Sequence, residues 1–408
     1  MKFVAPLTPD TLEDVQRVKC VQDAVEPVPQ LPESIFILLR AVGIIFGQFD
    51  AQLSANTLTS FAKAWPTMWI WIQHTYAIHQ AAIRSLHGVI NSVQTNFFAI
   101  RYPIFTDIFK GFVSRADRPA VAEILTNYPQ IFSMMGNMWI SEAKDENAIH
   151  GFSSAYFSEA ETVTEQRFLA EVILACGNTE EVVRIACLRL EGNIRRRNPE
   201  YTALYADIMF FFVQLCKRGN PNPLVTAMHE SSLVTLVSTR ILAFLASSKA
   251  LAAPAKYRDN MIYVCSSVIY GLLQQSSCLF ERIVDLLQHN FIPALVACCR
   301  LVPSSSEYYE DIRRIIIALR DKILVPSTFH RKIISLMKNS IEATYAQSLD
   351  PLSERNSLIR NSIGKLWGII NKRATTYQEY RHGSPSSIIL CGNEKVCIPS
   401  ELTRLVLI

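Results

Sequence analysis

Residues 306–324 read SEYYEDIRRIIIALRDKIL, and this stretch decides the fold class. Tyr309, Ile312, Ile315, Ile316, Leu319 and Ile323 recur at i, i+3, i+6, i+7, i+10 and i+14, the spacing that lines one side of an α-helix. Arg313, Arg314 and Arg320 are expected together on the side opposite that stripe. Pro326 brings a fixed φ and no N–H, so the helix is expected to stop there.

The same rhythm continues downstream. A second helix is expected to bury Ile333, Ile334, Met337 and Ile341. Asp350 and Pro351 then suit an N-cap and a first helical position, ahead of a stripe at Ile359, Ile363, Leu366, Trp367 and Ile370. Starts near 307, 327 and 351 put two successive helices in about 44 residues, within the ~40–47-residue unit of HEAT and armadillo arrays. Upstream, weaker echoes join a short helix to a second apolar one across a proline or polar joint: FAKAWPTMWIWI (61–72), TNYPQIFSMMGNMWI (126–140), MHESSLVTLVSTRIL (228–242) and LQHNFIPALVACC (287–299). Asn178 followed by Glu181 reads as a capping box, with Val182, Val183, Ala186 and Leu190 on the face that follows.

The expected architecture is therefore all-α: an armadillo/HEAT-like α-solenoid of degenerate repeats, wound as a right-handed superhelix with a concave groove. A polar segment over 1–32 precedes the repeat domain at 33–380, and an irregular tail follows at 381–408. Loops are expected at 151–165, 247–256, 303–306 and 382–387.

Composition supports this reading. Half of the 408 residues are hydrophobic and 19% are charged, which excludes a disordered chain. Only 14 glycines are present, too few for the turn punctuation of a sandwich or barrel. Two runs, 64–83 and 260–280, lack Lys, Arg, Asp and Glu, but Gln73, His74, His79, Gln80, Gln274 and Gln275 are costly in hydrocarbon. Buried helices are expected there, the first opening at Pro66, and no membrane span. Asp10, Glu13 and Asp14 interrupt any secretory signal, and no Asn-x-Ser/Thr acceptor occurs, so the expected location is intracellular, in nucleus or cytoplasm. The ten cysteines mostly sit within apolar runs and read as small core residues.

Chemistry-bearing motifs are absent from the sequence. It contains no GxxxxGK[ST], GxGxxG or GxSxG, so no catalytic residue, cofactor site or small-molecule substrate is expected. His229-Glu230 opens like a zinc-protease helix, but Leu233 stands where the second histidine would share the metal. His74 and His79, five apart, point to different sides of a helix.

The net charge of +4 is small, yet the segment from Asp311 to Arg381 holds thirteen Lys/Arg against six Asp/Glu. Arg313, Arg314, Arg320, Arg331, Lys332 and Lys338 are the candidate surface within it. Stacked helices could align them for a protein partner or, as the alternative reading, for nucleic acid. Asp321, Glu342 and Glu354 are interspersed, and no base-stacking aromatics alternate with the cations. Arg195, Arg196 and Arg197 are expected to end a helix, where cations oppose the negative dipole.

From Cys391 to Cys397 the chain reads CGNEKVC, a C-x-N-x-x-x-C pattern after a long helical region. This resembles what precedes the MYND-type zinc finger in a large group of fungal proteins. The resemblance implies an armadillo-like region followed by a finger of seven cysteines and one histidine that holds two zinc ions and serves protein–protein contact. After Cys397 no further cysteine or histidine occurs, and two thiolates, even with His382, do not close a four-ligand site. Zinc is expected only where a complete finger follows in another gene product, this C-terminus being a truncated or misread one. The favoured function is a non-enzymatic protein–protein interaction scaffold, ahead of a nucleic-acid-binding solenoid and of an all-α enzyme.

Overall fold

A computed structural model describes residues 39, 41–42, 55–86, 108–109, 118–144, 163–196, 199, 201–216, 222–247, 250, 254–346 and 364–381. Among them every regular element is helical and none is a strand. In chain order these are α1 (Ala55–Leu86), α2 (Pro119–Asn127), α3 (Gln130–Lys144), α4 (Val163–Cys176), α5 (Thr179–Arg195), α6 (Tyr201–Cys216) and α7 (Pro223–Glu230). Then come α8 (Leu233–Thr235 continuing through Leu236–Ile241 and Leu242–Leu245), α9 (Ala255–Gln274), α10 (Leu279–Gln288) and α11 (Phe291–Leu301). The series closes with α12 (Tyr309–Leu319 continuing through Arg320–Leu324 and Val325–Ser327), α13 (Arg331–Ala346) and α14 (Lys365–Arg381). The chain divides into two compact units, residues 1–185 and 186–408, and the division falls inside α5.

In the first unit α1 packs on α2, and α3 on α4. Trp65, Met68, Trp71 and Ile72 are buried, and Trp65 and Trp69 both meet the Tyr128 ring edge-on. Pro66 does not open α1 but lies inside it. Burial of the tryptophans on either side outweighs the one backbone bond that proline forfeits. The α3–α4 contact is close because Gly136 has no Cβ: one there would stand 3.3 Å from Val172 Cγ2. Ser133 Oγ donates to Glu171 Oε2 at 2.5 Å across the same contact.

The cap expected at residue 178 is present: the Glu181 N–H donates to Asn178 Oδ1 at 2.8 Å, and Val182, Val183, Ala186 and Leu190 are all buried. In the second unit, α6 packs on α9 and α9 on α12, forming one rank of helices that begin at 201, 255 and 309, a constant step of 54 residues. A second rank runs from α8 to α11, then α13, then α14, with α10 also against α13. The stripe read from 306–324 faces inward, with Tyr309, Ile312, Ile316, Leu319 and Ile323 buried and Ile315 half-buried. Ile333, Ile334, Met337 and Ile341 of α13 are buried as expected. In the third expected helix, Leu366 and Ile370 are buried and Trp367 half-buried, while Asp350, Pro351, Ile359 and Ile363 lie outside the described residues.

Four local expectations are corrected. The uncharged run at 260–280 is two helices broken by a turn over 275–278, and Val163 to Glu165 belong to α4 rather than a loop. Pro326 does not end α12 at once: the helix widens to π geometry over Arg320–Leu324 and runs on to Ser327. Pro326 has no N–H to give the regular ladder, and the widened turn lies immediately before it. Arg320 is not on the exposed side: four residues after Ile316 and eight after Ile312, it shares the side of the buried stripe. It is 8% exposed, and its Nε and Nη2 donate to both oxygens of Asp321 at 2.6 and 2.8 Å. A second π segment spans Leu236–Ile241, where Ser238 and Thr239 hydroxyls donate to the Val234 and Thr235 carbonyls at 2.5 and 2.6 Å. Those hydroxyls occupy carbonyls beside the widened turn, a local competition no apolar periodicity reveals.

Candidate protein-docking face

The rank α6–α9–α12 turns a chemically distinctive side to solvent. Between Tyr201 and Cys216 the only Lys, Arg, Asp or Glu is Asp207, and between Asn260 and Gln274 there is none. Asp207 is not on the surface: it is 1% exposed and accepts from Nε of the equally buried Arg189 on α5 at 3.1 Å. The solvent side of α6 carries Tyr205, Met209 and Phe212, and that of α9 carries Asn260, Tyr263, Ser267 and Tyr270, all half-buried. Each set recurs at three- and four-residue steps, opposite the buried stripe of its own helix.

These side chains join across helices. The Phe212 and Tyr263 rings lie 6.0 Å apart at 64°, and Tyr263 stacks on Tyr308 at 5.9 Å and 26°. Asn260 Nδ2 donates to the Tyr205 hydroxyl at 3.0 Å. One aromatic line thus crosses three helices, with phenol and amide groups along it. At its edge, Tyr308 donates to the Glu307 carboxylate, which Lys256 approaches at 3.2 Å from the start of α9. Burial, then the hydrogen bond and charge of Glu307, push the Tyr308 phenol up to about 12. Burial and then the nearby Asp311 carboxylate raise Tyr263. Both phenols are therefore neutral, hydrogen-bonding groups at neutral pH.

The cations singled out in the sequence are distributed differently. Arg313 pairs with Glu310 at 2.9 Å, Arg314 with Asp311 at 3.4 Å and Lys338 with Glu342 at 3.9 Å, while Arg320 is committed to Asp321. The Arg331 guanidinium lies over the Tyr377 ring at 5.5 Å, and Lys332 is exposed on the first turn of α13. Arg313 and Arg314 belong to α12 and Arg331, Lys332 and Lys338 to α13, so both ranks contribute to them. Cys391, Cys397 and His382 lie outside the described residues.

His74 is half-buried, edge-on to Trp71 at 6.2 Å, and burial lowers its pKa; the side chain of His79 lies outside the described residues. His229 ends α7, where its carbonyl accepts from Arg282 of α10, and burial lowers its pKa too. Among the described residues no group of three His, Cys, Asp or Glu side chains could hold a metal ion, and no helix is long and apolar enough to cross a membrane. Arg195 closes α5 as expected, paired with Glu191 at 2.9 Å, and Arg197 lies outside the described residues.

The aromatic line escaped the sequence reading. Its signal was the uncharged run itself, where Asn260, Tyr263, Ser267 and Tyr270 form a second, half-polar stripe at i, i+3, i+7 and i+10. No family model, curated protein or solved structure matches this chain.

Proposed function

We propose that the protein is a non-enzymatic interaction scaffold, an armadillo-like α-solenoid that binds a protein partner through the aromatic face formed by α6, α9 and the start of α12. The observation that carries this reading is the continuous ring contact of Phe212 on α6, Tyr263 on α9 and Tyr308 at the N-cap of α12. Half-buried tyrosines with a free polar edge supply large contact area at small entropy cost, and they concentrate binding energy in protein interfaces. The two ranks support the solenoid, because a helix pair with one apolar stripe hides it by stacking on the next pair, although the 54-residue step is longer than the expected unit of about 44. The zinc-finger relationship of the tail and an intracellular location belong to the same reading.

A photo-crosslinking amino acid placed at Tyr263 in the full chain tests the proposal, with Gln288 of α10 as the comparison site. Protein adducts are expected from position 263 and not from 288, and they should vanish when Tyr308 is also changed to Ala. Equal yields from both positions would show that the aromatic face has no privileged role.

A further inference from the structure

Resting on that reading of the face, we infer that its occupant is a second copy of this chain, docked face to face about a two-fold axis. Three observations lead there. First, the centre of the face carries no Lys, Arg, Asp or Glu on the surface of α6 or along α9 from Asn260 to Gln274, so nothing on it selects a partner of opposite charge. A self-complementary contact has the particular requirement that like charges do not meet across the axis, and an uncharged centre fulfils it.

Second, the charges lie at one edge and include both signs. Glu307, Glu310 and Asp311 stand with Lys256, Arg313 and Arg314, three carboxylates to three cations, already paired among themselves. A two-fold through the middle helix sends this α12 edge over the uncharged α6 edge of the other copy, so neither edge meets its own charges.

Third, the size fits. The 16 residues of α6 make a helix about 24 Å long, and three helices spaced 8–10 Å apart span about 30 Å, or roughly 700 Å² of face. A stable interface takes about 800 Å² from each partner. The groups on the face also match a copy of themselves: Tyr205, Tyr263, Tyr270 and Tyr308 both donate and accept, and Met209 and Phe212 fill the space between phenols.

Sedimentation equilibrium of the full chain from 1 to 50 μM tests this inference, with the concentration range set to catch micromolar dimers, each ~1.4 kcal/mol being tenfold in affinity. The expected mass is twice 46.1 kDa. Tyr263→Glu and, separately, Met209→Lys should each return the mass to that of a monomer while far-ultraviolet circular dichroism stays unchanged. Gln288→Glu, on the other rank, should remain dimeric. Two substitutions on different helices guard against one of them failing to fold. A wild-type monomer throughout the range, or a dimer that survives both substitutions, overturns the inference. If the wild type is monomeric but the Tyr263 crosslinker still captures a different protein, the docking face stands and only the identity of its occupant falls.

Discussion

The two ranks of the second unit bury the same kind of surface, but α6 and most of α9 in one of them expose a different kind, while α12 keeps Glu310, Asp311, Arg313 and Arg314 outside. In both, the inward stripe is aliphatic: Ile312, Ile316 and Leu319 on α12, Ile333, Met337 and Ile341 on α13. Outwardly, α8, α10 and α13 carry Arg240, Glu281, Arg331, Lys332, Lys338 and Glu342, whereas α6 and most of α9 carry tyrosine, phenylalanine, methionine, asparagine and serine. Inner stripes answer to water exclusion alone and so converge. Outer surfaces are under no such constraint, so a departure from the ordinary charged pattern on one rank points to contact with something else.

The largest break in this comparison should come from the Arg189–Asp207 ion pair buried beneath the uncharged surface of α6. Asp207→Ala leaves Arg189 buried without its carboxylate, and a loss of about 3–5 kcal/mol in chemical denaturation is expected. The double change Arg189→Leu with Asp207→Leu should recover most of that loss, because the cost lies in the orphaned charge. If Asp207→Ala were neutral, the pair would not be desolvated.

Next come the stripes. Ile312→Ala and Met337→Ala should each cost about 2–5 kcal/mol, and by similar amounts, since both side chains are fully buried. A several-fold disparity would show that one rank, not both, holds the unit together.

The Tyr308 phenol sharpens the contrast more gently. Its folded-state value of about 12 lies above the ordinary ~10, so the neutral phenol favours the folded chain fully below the unfolded value. That stabilisation is lost as pH rises through the interval between them. Phenolate absorbance should lose a late-titrating tyrosine in Tyr308→Phe, and Glu307→Gln should move that tyrosine's transition to lower pH. An unchanged titration in Tyr308→Phe would detach Tyr308 from the aromatic line. The smallest effects belong to the exposed pairs: Arg313→Ala and Lys338→Ala should each change stability by less than about 1 kcal/mol, measured by the same denaturation.

Much of the helical content was legible from residue order. Asn178 and Glu181 announced the start of α5, and the stripes from Tyr309 to Ile323 and from Ile333 to Ile341 named the residues that are buried. Those features are local, set by 3.6-residue periodicity and by backbone groups that need a cap. Arg320 was misplaced because its register was misjudged: four residues after Ile316, a regular helix already turns it toward the stripe, and Pro326 was read as a stop where the helix widens and runs on. The site was less legible than the fold. Charge density drew attention to Arg313, Arg314 and Lys338, whose carboxylate partners stand three or four residues away on the same helices. Tyr205, Tyr263 and Tyr308 drew no attention, because nothing in residue order brings the outward residues of α6, α9 and the start of α12 together.

Residue order by itself determined that this chain is helical, which face of each helix turns inward and where α5 begins, because those outcomes depend on neighbours within a turn or two. The tertiary structure alone decided that Phe212, Tyr263 and Tyr308, some fifty residues apart in succession, form one line. The physical reason is that the drive to bury apolar surface has no direction: it requires a covering for each stripe but does not name the helix that supplies it. Only the docking of α6, α9 and α12 side by side sets which outward residues become neighbours.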